Sequence, residues 1–406
     1  MRPDAHFTAD GWINDPHGFV VIDGEYHVFF QYVPGSTEWE TGIHWGHAVG
    51  PDLLSLTLLG SALEPGDGDD GIWTGSIVTA DDGARAFYTA VVSPGTQVGR
   101  IRVATATDQE LRSWQKGPVV VDAPEGLGLT AFRDPFVFDD DGVWRMLVGG
   151  AMADGVAGLL SYSSSDLRAW HFDGVAASRS SLAQLPLWTG ELWECPQLIT
   201  VDGHDVLVFS VWAADTGYGT VYALGRWSAG RFDVERWGDL AYGASPYAPT
   251  VYHDASGRPC ITFWLRDVVD PDRTWAGAHS LPWVLSVTDG TLRLTLHGDA
   301  TRHLRSVDID DRIEGACVIR WAPRTGEVLE GHTETGVVWT LQVHQDEFAL
   351  DVDSTRWSLP RRSGPAALIL DGPVLELTHD GAVLAAAVVA SDAVRRRRSA
   401  AADRGR

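Results

Sequence analysis

Lysine is almost missing from this chain. Lys116 is the single copy, and the whole sequence sets 31 basic side chains against 55 acidic ones, for a formal net charge of −24. A surface so short of positive charge excludes nucleic acid as a partner, because binding phosphates takes clustered basic residues. Acidic polymers are disfavoured for the same reason. The preference for arginine reflects the coding bias of a GC-rich genome and points to no chemistry. Cysteine is scarce too: Cys195, Cys260 and Cys317 are widely spaced and odd in number, which excludes a disulfide framework and offers no zinc-ligand spacing. A reducing compartment, no metal and no cofactor are the expectation. No apolar run approaches the roughly 20 residues of a membrane helix, so no membrane partner is expected. The first motif begins at Trp12 and leaves no room for the segments of a secretion signal, so a cytoplasmic location is expected.

What the chain does have is 406 residues, a hydrophobic fraction of 44 %, 18 tryptophans and a repeat. The length and apolar content suffice for two packed domains. Five times a short polar motif runs into an apolar strand, a turn and a second apolar strand. The motifs are Asn14-Asp15-Pro16-His17-Gly18, Trp73-Thr74-Gly75-Ser76, Arg133-Asp134-Pro135, Glu194-Cys195-Pro196 and Tyr247-Ala248-Pro249. They recur every ~55–65 residues, somewhat more than the usual length of a four-stranded propeller blade. The turn pairs Asp23-Gly24, Asp82-Gly83, Asp141-Gly142 and Asp202-Gly203 read as hairpins. The expected fold is all-β, a β-propeller over residues 1–298. The repeat then fades, residues 299–305 read as a linker, and alternating strands over 306–392 read as a small C-terminal β-sandwich. The basic, apolar-poor segment 393–406 reads as a disordered tail. The sandwich either packs on the propeller or makes a homodimer contact.

In a propeller the innermost strand of every blade borders the central channel, so residues at one phase of the repeat converge. Asp15, Asp134 and Glu194 are therefore expected to meet. Two carboxyl groups across a sugar bond suffice for glycoside hydrolysis, one attacking or activating water and the other protonating the leaving oxygen. Asp15, stiffened by Pro16 and oriented by Asn14, suits the nucleophile. Glu194 lies between Trp193 and Cys195, an apolar setting that raises a carboxyl pKa and suits the proton donor. Asp134 follows Arg133, whose charge is expected to hold it ionised as a clamp on sugar hydroxyls in the transition state. Trp12, Trp39, Trp73 and Trp193 lie near these motifs, as flat walls of a sugar site would.

These residues resemble glycoside hydrolase family 32, the invertase, inulinase and levanase group of β-fructofuranosidases. Trp12-Ile13-Asn14-Asp15-Pro16-His17-Gly18 is similar to its WMNDPNG box, Phe132-Arg133-Asp134-Pro135 to its RDP box and Trp193-Glu194-Cys195-Pro196 to its EC box. The likeness continues through His44-Trp45-Gly46-His47, Tyr247-Ala248-Pro249 and Ser280-Leu281-Pro282, so it covers the propeller. It implies five blades, a C-terminal β-sandwich and a retaining mechanism, with Asp15 as nucleophile, Glu194 as acid and base, and Asp134 as transition-state stabiliser. Asn14, Gln31, Trp39, Trp73, Thr74 and Arg133 stand where the family lines its fructose subsite, and Trp264 matches a wall tryptophan of the fifth blade. His17 departs from the family's asparagine, Trp73-Thr74 stands where Phe-Ser or Trp-Ser is frequent, and the second domain is short. The implied activity is exo-acting release of fructose from a small neutral fructoside, sucrose or a short fructo-oligosaccharide of the inulobiose, kestose or levanbiose type. The alternatives are a fructosyltransferase on the same substrates, a catalytically silent sugar-binding propeller, and an arabinan or xylan hydrolase.

Overall fold

The computed structural model describes residues 1–398. Its hairpins form for a local reason. Asp23 and Gly24 lie at φ 50° and 86°, Asp141 and Gly142 at 53° and 85°, and Asp202 and Gly203 at 49° and 77°. Positive φ at both central residues defines the type I′ turn, whose twist matches that of the strands it joins. The second repeat departs from the expectation of an Asp82-Gly83 turn: Ala80 pairs with Gly83, so the turn is Asp81-Asp82 and Gly83 opens the next strand.

Each repeat continues into a four-stranded antiparallel blade. Blade one comprises Gly11–Ile22, Glu25–Val33, His44–Gly50 and Thr57–Leu63, and blade two Gly71–Ala80, Gly83–Val91, Arg100–Ala106 and Trp114–Val121. Blade three runs from Ala131–Asp140 to His171–Ser180 and blade four from Leu192–Val201 to Arg231–Ala241. Blade five holds Pro246–His253, Pro259–Val269, Trp283–Thr288 and Thr291–Leu296. The ring closes through Trp275–His279, antiparallel to the second strand of blade five and parallel to Gly11-Trp12 of blade one. Buried hydroxyls and amides tie neighbouring blades where ladders end: Ser76 Oγ accepts from the Val137 N–H at 2.9 Å and Gln197 Oε1 from the Val251 N–H at 2.8 Å. These pairings satisfy backbone donors that no strand partner reaches.

The segment expected as a linker contains a short helix, Gly298–His303, whose Ala300 is buried against blade five. Beyond it two five-stranded sheets enclose a core that includes Trp339, Phe348, Leu368 and Leu377. The sandwich packs on the propeller, with Val318, Ile369 and Val383 sharing a core with Trp283, Leu292 and Leu294. The N-terminal segment crosses the seam. His6 is buried with its ring 2.8 Å from Asp371 and 3.3 Å from Glu376, and although burial opposes its charge, the two carboxylates push its pKa up to about 9.

The expected tail needs correction. Ala393–Arg398 is a strand paired with Glu327–Thr333 in the second sheet, and Val394 is fully buried in the core. The basic run is not a solvated end because Glu327 and Glu330 on the adjacent strand take Arg396 and Arg397, each at 2.6 Å. Residues 399–406 lie outside the described residues. Ending the chain at Asp392 is expected to destabilise the sandwich by ~2–4 kcal/mol, from the lost burial of Val394 and the orphaned glutamates. A thermal melt checks this, and an unchanged Tm would return the segment to a solvated tail.

Candidate active site

The inner strands present their motifs through bulges. Asn14-Asp15 oppose Gln31 alone, Thr74 is an extra residue between Trp73 and Gly75, and Asp134-Pro135 oppose Val148. Cys195-Pro196 oppose Phe209, and Ala248-Pro249 oppose Phe263. Proline costs no ladder bond at such a position, and the extra residue turns a side chain that alternation would send elsewhere. Asp134, Cys195 and Ala248 take φ of 66°, 49° and 44°. The carboxylates therefore do not share one phase. In the ladder Glu194 corresponds to Arg133 and Tyr247, whereas Asp134 corresponds to Cys195, and the bulge lets both neighbours reach the channel.

They line a cavity of about 220 Å³ with Asn14, Asp15, Gln31, Trp39, Trp73, Trp264 and four further residues, Gln97, Trp212, Asp215 and Tyr247. Thr74 stands behind Asp15, its hydroxyl on the carboxylate. Every residue expected at the catalytic centre or the fructose subsite is thus brought to it. Trp39, 47 % exposed, meets Trp73 edge-on at 5.8 Å, and Trp12 meets Trp264 at 5.7 Å. Of the four anticipated walls, Trp39 and Trp73 line the cavity, Trp12 instead contacts Trp264 and Asn14, and Trp193 points into the blade core and stacks on Phe209 at 4.7 Å, because adjacent strand residues face opposite ways.

Asp15 is held by neutral donors. Its Oδ1 accepts from Asn14 Nδ2 at 3.1 Å, and its Oδ2 from Thr74 Oγ1 at 2.6 Å, Gln31 Nε2 at 3.4 Å and Cys195 Sγ at 3.4 Å. Asn14 is in turn fixed by Trp12 Nε1 at 3.0 Å and Gln31 Oε1 at 2.7 Å. Burial pushes the Asp15 carboxyl above its ordinary range, the Thr74 hydroxyl pulls against this, and the Glu194 charge pushes the same way as burial.

Arg133 serves a different carboxylate from the one expected. Its Nη2 donates to Glu194 Oε1 at 2.7 Å, while its Nε stays 3.9 Å from Asp134 Oδ2. Tyr247 donates its hydroxyl to Glu194 Oε2, so the shell of Glu194 is polar rather than apolar. The Arg133 guanidinium also lies 5.3 Å over the Trp212 ring and donates to Gln97. Asp134 accepts from the Cys195 N–H at 2.9 Å, and its own N–H donates to Thr89 Oγ1 at 2.8 Å. Burial raises the Asp134 carboxyl to about 7, so the Arg133 charge does not keep it in the ordinary carboxylate range as the sequence suggested.

That shift carries a stability consequence. A carboxyl raised on folding binds its proton more tightly in the native state, so stability falls as pH rises from the unfolded value near 4 to the folded value near 7. Asp134→Asn keeps the shape without the charge. It is expected to stabilise the protein at pH 8 by up to about 4 kcal/mol and to leave it unchanged below about pH 4. Melts at both pH values check this, and a gain independent of pH would refute the electrostatic cause.

Tyr247 was legible as a repeat marker, and its correspondence with Arg133 and Glu194 was the signal that could have placed it here. Gln97 and Asp215 lie in loops that carry no motif. Among the described residues, Asp254, Cys260 and His297 form the one cluster whose donor atoms could gather on a metal, outside this cavity. Asp254 is already taken by Arg258 at 2.6 Å and His297 at 3.0 Å. No helix among the described residues is long and apolar enough to cross a membrane.

The N-terminal domain model of glycosyl hydrolases family 32 matches residues 6–297. A sucrose-6-phosphate hydrolase of Zymomonas mobilis is 32 % identical over 317 residues, covering 72 % of this chain and 61 % of that protein. The sucrose-6-phosphate hydrolase of Bacillus subtilis is 30 % identical over 371 residues, covering 83 % and 76 %. The chain thus spans about three fifths of the Zymomonas relative's length. In three dimensions, a Bombyx mori family GH32 β-fructofuranosidase in complex with sucrose superposes with a TM-score of 0.81 at 20 % identity, over 98 % of this chain and 94 % of that one. With the family model spanning the whole propeller and relatives at this level of identity, the chain belongs to glycosyl hydrolase family 32.

Proposed function

We propose that the chain is a retaining, exo-acting β-fructofuranosidase that releases fructose from sucrose or short fructo-oligosaccharides, with Asp15 as nucleophile, Glu194 as acid and base, and Asp134 as transition-state stabiliser. The observation that carries this reading is the unequal treatment of the carboxylates on one cavity. Asp15 receives only neutral hydrogen bonds, which orient a lone pair without quenching it, and it stays partly exposed on the cavity side. Glu194 instead faces Arg133 and Tyr247, groups that hydrogen-bond its charged form for the step in which it acts as a base.

The reaction these positions support has two steps. Asp15 attacks the anomeric carbon while Glu194 gives its proton to the leaving oxygen, forming a fructosyl-enzyme ester and the free alcohol. Water then gives a proton to Glu194 and attacks the same carbon, freeing fructose and restoring Asp15. Asp134 accepts hydrogen bonds from fructose hydroxyls, which strengthen as positive charge develops on the ring. A cavity of about 220 Å³ walled by Trp39, Trp73, Trp212 and Trp264 suits one terminal sugar unit rather than a polymer passing through.

Neutral substrates are favoured by the charges around the cavity. It is lined by Asp15, Asp134, Glu194 and Asp215, and its one lining cation among the described residues, Arg133, is paired with Glu194. Nearby Arg266 is committed to the carbonyls of Gly217, Tyr218 and Ala244. A phosphorylated fructoside would find no free cation on these walls. The test is a release profile on sucrose, sucrose 6-phosphate, 1-kestose, inulobiose, levanbiose and inulin, beside an arabinan control, with free fructose and transfer products resolved. Fructose from the short neutral substrates is expected. Preference for the phosphorylated sugar would overturn the neutral class, dominant transfer products would make the chain a fructosyltransferase, and silence on every fructoside would revive the sugar-binding or arabinan reading.

A further inference from the structure

The bulge that carries Asp15 leaves a run of carbonyls outside the strand ladder, since Asn14 and Asp15 together oppose the single residue Gln31. Buried carbonyls need donors. His279 Nε2 lies 3.0 Å from the Asn14 oxygen, His17 Nδ1 lies 3.0 Å from the Asp15 oxygen, and the Thr250 hydroxyl donates to the Pro16 oxygen. A carbonyl oxygen can only accept, so each ring nitrogen facing one must carry the proton. That fixes two opposite tautomers, Nδ1–H for His17 and Nε2–H for His279. His17 Nε2 is then a bare, buried nitrogen with no hydrogen-bond partner among the described residues.

We infer that His17 and His279 are positioning residues of the reaction: as neutral, oppositely protonated imidazoles they clamp the backbone that aims the Asp15 carboxylate. The inference rests on the fructosidase reading of the site. Both rings are held rigidly, His17 against Trp45 with centroids 4.1 Å apart and His279 between Phe7 at 5.5 Å and Phe30 at 5.3 Å. Burial disfavours their charged forms, lowering His17 to about 3 and His279 to about 4, and a charge on His279 would oppose one on His17. Neutrality suits the chemistry. Attack by Asp15 cancels its negative charge, and an adjacent imidazolium would favour the charged ground state over the transition state.

The other blades tie their bulges differently. Thr89 Oγ1 accepts from the Asp134 N–H and donates to the Thr74 carbonyl, and Ser210 Oγ accepts from the Ala248 N–H. Small hydroxyls suffice where no nucleophile has to be aimed. Blade one uses two rings, His17 from two residues further along the same strand and His279 from the strand that closes the ring, and so fixes the segment's direction as well as its depth.

The opposite tautomers allow a crossed test. Asparagine places its amide nitrogen where Nδ1 of histidine lies, and glutamine places its own near Nε2. His17→Asn and His279→Gln are therefore expected to keep kcat on sucrose within about threefold, whereas His17→Gln and His279→Asn lose ~10–100-fold with KM nearly unchanged, the scale of a misaimed reacting group. Melting temperatures for all four exclude unfolding as the cause. Equal losses or equal retention across the four would overturn the clamp. Nitrogen-15 spectra of the unmodified protein supply a readout independent of turnover: neutral rings with the two opposite tautomers are expected from about pH 5 to 8. An imidazolium signal from either ring in that range would also overturn it. If the protein cleaves no fructoside, the activity reading fails, while the spectra still decide the tautomers.

Discussion

Replacing Asp15 by alanine is expected to lower kcat on sucrose by ~10⁴–10⁶-fold, the scale of removing a nucleophile from a preorganised site. No neighbouring group can substitute. Asn14, Gln31 and Thr74 are donors turned toward the vacated carboxylate, and the Cys195 thiol is held protonated by burial and the surrounding carboxylates, so it offers no thiolate. The fold is expected to survive, because two effects on stability oppose each other: a poorly solvated carboxylate is removed, and the donors that faced it lose a partner. Fructose release and a thermal melt measure both. Added azide is expected to restore part of the rate by attacking from the vacated face, giving a fructosyl azide of inverted configuration. Residual hydrolysis above about one per cent without azide would remove Asp15 as nucleophile, since losing such a group leaves far less.

Glu194→Gln is expected to cost ~10²–10⁴-fold on sucrose, the usual contribution of a general acid. An activated fructoside, such as one carrying a nitrophenyl group, needs no proton on departure, so its first turnover is expected to stay fast. The second step still lacks its base. A rapid burst of leaving group followed by slow turnover is the expected signature. Glutamine can also accept from Arg133 or Tyr247 through its carbonyl, which limits disturbance to the surrounding contacts. Equal losses on both substrates, with no burst, would argue against the acid role.

The architecture and the parts of the site follow from the order of residues. Asp-Gly pairs with the conformational freedom for type I′ turns, repeated between short apolar strands, specify hairpins through local geometry alone. Three of the blades carry this turn between their first two strands; the five blades are specified by the fivefold recurrence of motif, strand, turn and strand, and Asp15, Asp134 and Glu194 stand in three of those motifs. Strand alternation also made the sandwich legible. Its last strand was not, because a run of arginines looks solvated until the paired strand brings Glu327 and Glu330 alongside.

Which group serves which is settled only when the blades close into a ring. Arg133 is next to Asp134 in the chain, yet its guanidinium reaches across to Glu194 in the next blade, and Trp193 turns away from the neighbour it was expected to wall. Sequence adjacency predicts contact poorly in a strand, where neighbours face opposite ways, and worse at a bulge, where the alternation slips. The carboxyl of Asp134 rises to about 7 because burial outweighs the adjacent positive charge, and burial is a property of the closed ring. His17 follows the same rule. In the sequence it is an odd residue in a familiar motif, and only the bulge that orphans the Asp15 carbonyl gives its ring something to hold.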